Sequence, residues 1–262
     1  MADLLIKDSQ VCSIKAIIFD KDGTLSDSEE NLLDLAKTRI DLSVNKFRKL
    51  KINEVKVWLL KKLLSSVYGL QKTSLSADET LAIASREHNI VSTASIFSLF
   101  GFNWFKSLSL AQEVFEEVDT LLTHRKDKIP QPRIIIPGAL DLLLSLKKEG
   151  VIIALMSNDT EKGIEEFIYR NKLKDIFDNI WSAEDKPSKP NPKAVIELCK
   201  KMNYDPSESA FISDADTDLK MAKEAGINAV IGFTGGWKIP PSLTETKLLI
   251  TKFHELLVQS NN

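Results

Sequence analysis

The chain has 262 residues, of which 43% are hydrophobic and 27% charged, and its formal net charge at pH 7 is −2. This length accommodates one large domain or two unequal ones. The near-neutral charge argues against general binding of nucleic acid, although the stretch 37–62 holds nine Lys or Arg residues against Asp41 and Glu54. We interpret that basic stretch mainly as the solvated face of a helix, with steering of an anionic ligand or partner as the alternative.

Neither the cysteines nor the N-terminal sequence favours export. Cys12 and Cys199 are too few and too far apart for a disulfide framework, and no Cys or His cluster has zinc spacing. The N-terminal sequence MADLLIKDSQVCSIK lacks the pattern of a secretion signal, and no run approaches the roughly 20 apolar residues that span a bilayer. We therefore expect a cytoplasmic protein with reduced thiols, without nucleic-acid or membrane partners, present as a monomer or homodimer.

The first predicted element is a buried strand, KAIIFD at 15–20, and a long helical region follows it. From 27 to 137 the apolar residues recur with helical periodicity, as in VWLLKKLLSSVYGL. Because structureless loops of this length are rare in compact proteins, we predict an inserted all-helical domain at 27–137, with breakpoints near 26–28 and 129–137. Within it, FSLFGFNWF at 97–105 is interpreted mainly as helical core, although such aromatics also suit a substrate entrance.

Beyond the insertion, predicted helices and strands alternate. The helices lie at 138–149, 161–171, 192–202 and 216–225, and the strands lie at 151–159, 208–216 and 227–233, with a weaker one at 178–185. This alternation predicts a Rossmann-like α/β core domain, formed by 1–26 and 138–262, whose parallel sheet is covered by helices on both faces. In such sheets, ligands bind outside the carboxyl ends of the strands.

Charged and hydroxyl residues follow the predicted strands at that edge. They are Asp20 and Asp22, Ser157, Lys189, and Asp214 with Asp218. Taken alone, Asp20 and Asp22 also fit a simple turn after a strand. Four carboxylates with one lysine, however, repel each other at low dielectric unless a cation joins them.

The donor types in this group indicate which ion and which reaction to expect. Oxygen ligands without His or Cys favour Mg²⁺, which commonly binds a few carboxylates, several waters and a substrate phosphate. A lysine, a serine hydroxyl and backbone amides at a helix start are suited to holding that phosphate. The predicted chemistry is phosphoryl transfer, in which one carboxylate attacks phosphorus and a second carboxyl handles the proton.

At this point the residues resemble the motifs of the haloacid dehalogenase (HAD) superfamily. Asp20, Asp22, Gly23 and Thr24 match its DxDGT signature. Ser157, Lys189 in a KPxP arrangement, and the pair Asp214 and Asp218 resemble its second, third and fourth motifs. The resemblance extends from about residue 14 to residue 236, and the helical insertion looks like the cap of the phosphoglycolate phosphatase and β-phosphoglucomutase branch.

The resemblance implies a Mg²⁺-dependent phosphatase that acts on a small phosphorylated metabolite, phosphoglycolate-like or sugar-phosphate-like. Asp20 would be the nucleophile and a metal ligand, and Asp22 the general acid/base with a carbonyl contact to the metal. Ser157, Asn158 and Lys189 would bind phosphate, and Asp214 and Asp218 would bind the metal. The presence of Asp22 argues against a dehalogenase. A phosphomutase of the β-phosphoglucomutase type and a noncatalytic phosphate-binding protein remain alternatives.

Four residues near these motifs need separate interpretation. Ser213 stands where the fourth motif usually has Gly, and Lys186 competes with Lys189, although only the latter has the KPxP arrangement. Asp216 is interpreted as a helix-start residue rather than a ligand. The side chain of Lys21 should point away from the phosphate because side chains alternate along a strand.

Overall fold

The computed structural model describes residues 1–126 and 135–260. The chain forms two compact units, Met1–Ser28 with Arg133–Asn262, and Glu29–Pro132. The second predicted breakpoint, 129–137, falls mostly outside the described residues. The division into a core domain at 1–26 and 138–262 and a cap domain at 27–137 stays a prediction. Over the described ranges, no helix combines the length and the apolar character needed to cross a membrane.

The first unit contains two sheets. In chain order the strands are β1 (Ala2–Ile6), β2 (Ser9–Ile14), β3 (Ala16–Asp20), β4 (Ile152–Met156), β5 (Asn179–Trp181), β6 (Ser209–Ser213), β7 (Ala229–Phe233), β8 (Leu249–Ile250) and β9 (Leu256–Ser260). Strands β3 to β8 form a six-stranded sheet in the order β5-β4-β3-β6-β7-β8, and all paired neighbours in it run parallel. The predicted parallel sheet is confirmed, and β3 lies near its centre.

The helices are α1 (Glu29–Lys49), α2 (Glu54–Val67), α3 (Thr80–Ile83), α4 (Arg86–Ser98), α5 (Trp104–Lys126), α6 (Ala139–Lys148), α7 (Glu161–Asn171), α8 (Pro192–Lys201) and α9 (Asp216–Glu224). The last four belong to the first unit and end within one residue of the predicted bounds. Local sequence explains the starts of two of them: the Thr160 side chain caps α7, and Asn191 caps α8 ahead of Pro192.

Side chains of β3 alternate between the two faces of the six-stranded sheet. Ile17 and Phe19 pack in one buried cluster with residues of α6 and α7, such as Phe167. Ala16 and Ile18 pack in the other with residues of α8 and α9. Because both faces are covered, the apolar run is continuous rather than alternating in hydrophobicity. Asp20, the fifth and last residue of β3, is the first residue of the strand with a polar side chain, and it lies at the sheet edge.

The smaller sheet of the first unit is antiparallel, in the order β2-β1-β9, and the sequence did not predict it. Leu4 of β1 is fully buried and pairs with Val258 of β9. Strand β2 has mixed polarity, and its residues are exposed or half-buried except for Ile14. A short mixed-polarity hairpin carries little periodic signal, and the partner that completes the sheet lies at the far end of the sequence.

The second unit, formed by α1 to α5, has its own apolar core. Phe47 of α1 is buried, and its ring centroid lies 5.1 Å from that of Phe97 and 5.4 Å from that of Phe100. In contrast, Trp104 is 51% exposed and Phe105 83% exposed. The interpretation of 97–105 as helical core is therefore correct for its first half and wrong for its end, where α5 begins with exposed aromatic rings.

The basic stretch 37–62 covers the later part of α1 and the first part of α2. Seven of its nine Lys and Arg residues are exposed, as a solvated helical face requires. Arg39 departs from this pattern because it is 4% exposed and lies 3.8 Å from the centre of the Phe115 ring. Its guanidinium therefore stacks inside the helical unit rather than contributing to the basic surface.

Candidate active site

Asp20 ends β3 on the same side as Ile18, and its carboxylate is nearly buried, with 8% of the residue exposed. The Nζ atom of Lys189 donates to Asp20 Oδ1 at 2.5 Å and to Asp218 Oδ2 at 2.6 Å. A buried ammonium thus bridges two nearly buried carboxylates that come from different segments of the chain. Charge-assisted bonds of this length hold the three groups in fixed relative positions.

The loop that precedes α8 determines the position of Lys189. Asn191 caps that helix and Pro192 occupies its first turn, so the chain enters α8 with Lys189 just before the cap. Lys186, the competing lysine, is exposed, and its Nζ donates to the carbonyl oxygen of Ala183 at 3.3 Å. Of the two lysines, only Lys189 lies among the carboxylates of the site.

Ser213, which replaces the usual glycine of the fourth motif, connects the end of β6 to α9. Its Oγ donates to Asp218 Oδ2 at 3.1 Å and accepts from the backbone N–H of Ala215 at 3.2 Å. The hydroxyl is fully buried. The replacement therefore adds a second donor to Asp218 beside Lys189 and does not remove the acidic residue from the site.

Asp214, directly after β6, binds two side chains that do not carry charge. Thr24 Oγ1 donates to its Oδ1 at 2.9 Å, and Trp237 Nε1 donates to its Oδ2 at 2.5 Å. Sequence reasoning missed Trp237. The one available signal was its position after two glycines, 235–236, just beyond the last predicted strand.

Asp22 is held by a separate set of partners. Lys21 Nζ lies 2.7 Å from Asp22 and 3.1 Å from the carboxylate of Asp159, and Ser28 Oγ donates to Asp22 at 2.5 Å. Lys21 also lies 5.9 Å from the centre of the Phe167 ring, on the sheet face opposite Ile18. The side-chain direction expected from strand alternation is therefore the one observed.

The two predicted phosphate-binding residues of the second motif follow β4. In the sheet register Asp20 pairs with Met156, so Ser157 lies just beyond the strand end next to Asp20. Ser157 is 3% exposed, and its Oγ accepts from the backbone N–H of Asp159 at 3.1 Å. Asn158 is half-buried beside it. The predicted residues of all four motifs therefore lie at one edge of the sheet.

Burial and mutual repulsion change the acidity of these carboxyls. Burial raises the pKa of Asp20 to about 6, although Lys189 opposes the change. Burial, and then the charge of Asp20, raise the pKa of Asp214 well above its ordinary value, with hydrogen bonds from Trp237 and Thr24 opposing. Both shifts mean that burial and neighbouring negative charge disfavour the ionised forms of these two carboxyls.

Asp22 behaves differently because it has its own lysine. Burial disfavours its charged form, but the Lys21 ammonium and the hydrogen bonds from Lys21 and Ser28 outweigh burial and hold the pKa of Asp22 below its ordinary value. The pKa of Lys21 is raised in turn by Asp22 and Asp159, although burial opposes the change. In the resting structure Asp22 is therefore ionised.

No three His, Cys, Asp or Glu side chains in residues 1–126 and 135–260 converge in an arrangement that could by itself hold a metal ion. The carboxylates instead accept from the partners described above. What the arrangement supplies is a buried nucleophile candidate in contact with a lysine, a second carboxylate on a separate lysine, and a third with uncharged partners.

Comparisons with known proteins identify the family. A family model described as haloacid dehalogenase-like hydrolase matches residues 14–226. A phosphoglycolate phosphatase from Pseudomonas putida is 31% identical over 105 residues, which are 40% of this chain and 38% of that protein. The chain spans less than two thirds of the length of the curated relatives it matches first.

Two crystal structures have the same fold. One, described as a predicted phosphoglycolate phosphatase from Haemophilus somnus, has a TM-score of 0.61 at 19% identity and covers 92% of this chain and 95% of that chain. A β-phosphoglucomutase from Clostridium difficile has a TM-score of 0.60 at 21% identity, with 92% of both chains covered. Because the family model spans most of the sequence and includes the strand ends that carry the site, the chain belongs to the haloacid dehalogenase-like hydrolases.

Proposed function

We propose that the protein is a Mg²⁺-dependent phosphatase that hydrolyses a small phosphorylated metabolite, phosphoglycolate-like or sugar-phosphate-like, through an aspartyl phosphate on Asp20. The observation that carries the proposal is the buried Lys189 ammonium between Asp20 and Asp218. A cation fixed beside a nucleophilic carboxylate allows an anionic phosphate to approach it. Relatives named phosphoglycolate phosphatase support the substrate class. The cytoplasmic location and the absence of nucleic-acid and membrane partners stay predictions.

The donors of the site fit Mg²⁺. Mg²⁺ usually binds one or two carboxylates and completes its shell with waters and phosphate oxygens, so it does not need a cluster of three acidic side chains. Asp20 and Asp214, whose pKa values are raised by burial and by negative charge, would hold it, with the carbonyl of Asp22 and the carboxylate of Asp218 in support. When bound, Mg²⁺ would offset the negative charge of the carboxylates and of the phosphoryl group.

The first chemical step belongs to Asp20. Its ionised oxygen attacks phosphorus, the bond between phosphorus and the ester oxygen breaks, and Asp22 gives a proton to that departing oxygen. Because the pKa of Asp20 is about 6, most of the carboxyl is ionised near neutral pH. Lys189 and Ser157 would hold the oxygens of the phosphoryl group, with Asn158 beside them.

In the second step water attacks phosphorus, Asp22 takes a proton from that water, and phosphate leaves while the Asp20 carboxylate is restored. The ionised resting state of Asp22 suits this step. The earlier acid step requires a protonated Asp22. The negative charge of an arriving phosphate favours this protonated form, because it raises the pKa of a neighbouring carboxyl.

The proposal is tested by measuring phosphate release from p-nitrophenyl phosphate and from a panel of phosphorylated metabolites. We expect turnover that requires Mg²⁺ and that falls by roughly a thousandfold or more in Asp20→Asn, since the amide cannot attack phosphorus. The exposed Asp175 provides the matched control, and Asp175→Asn is expected to keep the wild-type rate.

The same assay separates the alternatives. Absence of turnover by folded protein at several Mg²⁺ concentrations would contradict the phosphatase and favour a noncatalytic phosphate-binding protein. A persistent aspartyl phosphate, with turnover that depends on a bisphosphate, would favour a phosphomutase.

A further inference from the structure

Trp237 lies beyond β7, outside the sequence motifs, yet it contacts the acidic centre of the site. It is 6% exposed, and its indole Nε1 donates to Asp214 Oδ2 at 2.5 Å. Indole N–H groups donate but do not accept, so this contact favours a carboxylate partner. A ring that only filled the core would not require a hydrogen bond from its N–H group to Asp214 Oδ2.

Two glycines make this contact possible by removing side chains from the interface of two loops. A Cβ atom on Gly236 would lie 1.8 Å from the carbonyl oxygen of Gly23, so the two backbones touch directly. A Cβ atom on Gly23 would lie 2.3 Å both from Trp237 Nε1 and from Asp214 Oδ2. Gly23 also has a φ of 75°, which side chains disfavour. The loop after β7 is thus fitted against the first-motif loop at the point where the indole meets the carboxylate.

The partners of Asp214 differ in charge from those of the other acidic residues. Asp20 and Asp218 share Lys189, and Asp22 has Lys21. Among the hydrogen bonds seen in the described part of the chain, the Asp214 side chain accepts only from uncharged donors, the Thr24 hydroxyl and the Trp237 indole. These two partners therefore bring no positive charge to the Asp214 carboxylate.

The two donors also restrict the orientation of Asp214. One donor lies at each carboxylate oxygen, and each oxygen keeps a further lone pair. Partners of this kind, which touch a ligand but not the metal, orient the ligand and contribute strongly to affinity in metal sites. Both donors are neutral, so they fix the carboxylate without neutralising it.

We propose that Trp237 is a positioning residue for Mg²⁺ binding, which acts by holding the Asp214 carboxylate in the orientation that receives the ion. The inference rests on the proposed function, because that proposal makes Asp214 a Mg²⁺ ligand.

The variant Trp237→Phe tests the inference because it keeps an aromatic ring and removes the N–H. We expect its Mg²⁺ dissociation constant, measured from the Mg²⁺-dependent rise in melting temperature, to be about 10 to 100 times that of the wild type. Trp181→Phe is the matched control: Trp181 is also buried, and its Nε1 donates to the carbonyl oxygen of Pro187 at 3.1 Å. That variant is expected to bind Mg²⁺ as the wild type does.

A second measurement uses the wild-type protein and remains valid if Trp237→Phe does not fold. The chain has four tryptophans, so its proton–nitrogen NMR spectrum contains four indole N–H signals. The Trp237 signal can be assigned by elimination with the Phe variants of Trp58, Trp104 and Trp181. We expect Mg²⁺ titration to shift this signal and to leave the other three in place.

The outcomes distinguish this inference from the function on which it rests. If the wild type binds Mg²⁺ and releases phosphate, while Trp237→Phe binds Mg²⁺ equally well and the Trp237 signal does not move, the positioning role is wrong and the phosphatase stands. If the wild type neither binds Mg²⁺ nor turns over phosphate esters, both proposals are wrong.

Discussion

At the residue scale, Lys21 separates the environments of the two first-motif carboxylates. It lies between Asp20 and Asp22 in the sequence but binds Asp22 and Asp159, on the sheet face away from Lys189. Asp22 is therefore paired with Lys21, whereas Asp20 shares Lys189 with Asp218. The Lys21 ammonium outweighs burial at Asp22 and holds its pKa below the ordinary value, whereas at Asp20 burial outweighs Lys189 and raises the pKa, although only two residues separate them.

The substitution Lys21→Met tests this separation. It leaves Asp22 and Asp159 without their shared cation, and we expect a loss of roughly 1–3 kcal/mol in the free energy of unfolding, since both carboxylates are partly exposed. A carboxyl whose pKa is lower in the folded state, as for Asp22, stabilises the folded protein at pH values above its unfolded pKa of about 4. This stabilisation is lost as the pH falls through the folded pKa. The variant should therefore lose less stability than the wild type on acidification below that pH. Urea denaturation at several pH values measures it, with the exposed Lys186→Met as control; identical pH profiles would contradict the pairing.

The raised pKa values of Asp20 and Asp214 predict the opposite pH dependence. A carboxyl whose pKa is higher in the folded state contributes less stability as pH rises from about 4 through its folded pKa, which for Asp20 is about 6. Mg²⁺ competes with protons for these carboxylates, so it should raise the melting temperature more at about pH 7.5 than at about pH 5. Melting curves with and without Mg²⁺ test this, and Asp20→Asn should reduce the difference between the two pH values. Equal effects of Mg²⁺ at both pH values would argue against these two ligands.

At the element scale, the sheet and its helices were predictable because each apolar run is long, buried and bounded by polar residues. Asp20, Ser157 and Asp214 were found because they follow such runs directly. Trp237 was not, because its role depends on a loop fitted against Gly23, and no local pattern encodes that contact. The hairpin of β1 and β2 was missed for a related reason, since its pairing with β9 joins opposite ends of the chain.

Two leucines in this small antiparallel sheet test whether it belongs to the core of the first unit. Leu4 is fully buried in the cluster that also contains Ile17 and Phe19, whereas Leu257 of the paired strand is 40% exposed. Leu4→Ala should lower the free energy of unfolding by about 2–5 kcal/mol, since it leaves a cavity in a packed core. Leu257→Ala should cost under about 1 kcal/mol. Chemical denaturation of both variants measures the difference, and similar small losses would mean that the sheet is not coupled to the core.

At the scale of the whole molecule, the predicted catalytic residues all lie in the first unit, and the helical unit carries none of the motifs. Apolar periodicity in the helical unit identifies which residues are buried, but it does not encode what an exposed residue binds. Trp104 and Phe105 illustrate this, because they are exposed although they are aromatic like the buried Phe97. The position of the candidate site residues at the sheet edge was therefore predictable from the sequence, whereas the substrate was not.

Because each unit has its own core, damage to the helical core should leave the Mg²⁺ site intact. Phe47→Ala removes a buried ring from the helical unit and should cost about 3–5 kcal/mol, whereas Phe105→Ala, at an 83% exposed position, should cost under about 1 kcal/mol. Indole NMR signals report on the units separately, since Trp58 and Trp104 lie in the helical unit and the other two tryptophans in the first. In Phe47→Ala we expect the Trp58 and Trp104 signals to disappear at a lower urea concentration than in the wild type, while the Trp237 signal persists at that concentration.

The Trp237 signal of that variant should also respond to Mg²⁺ at concentrations within roughly twofold of those for the wild type, because substitutions that share no partners usually act independently. Simultaneous loss of all four indole signals at the reduced urea concentration would contradict independent stability. It would mean that the two units unfold as one cooperative system, so that any substitution in the helical core also lowers the population of the intact Mg²⁺ site.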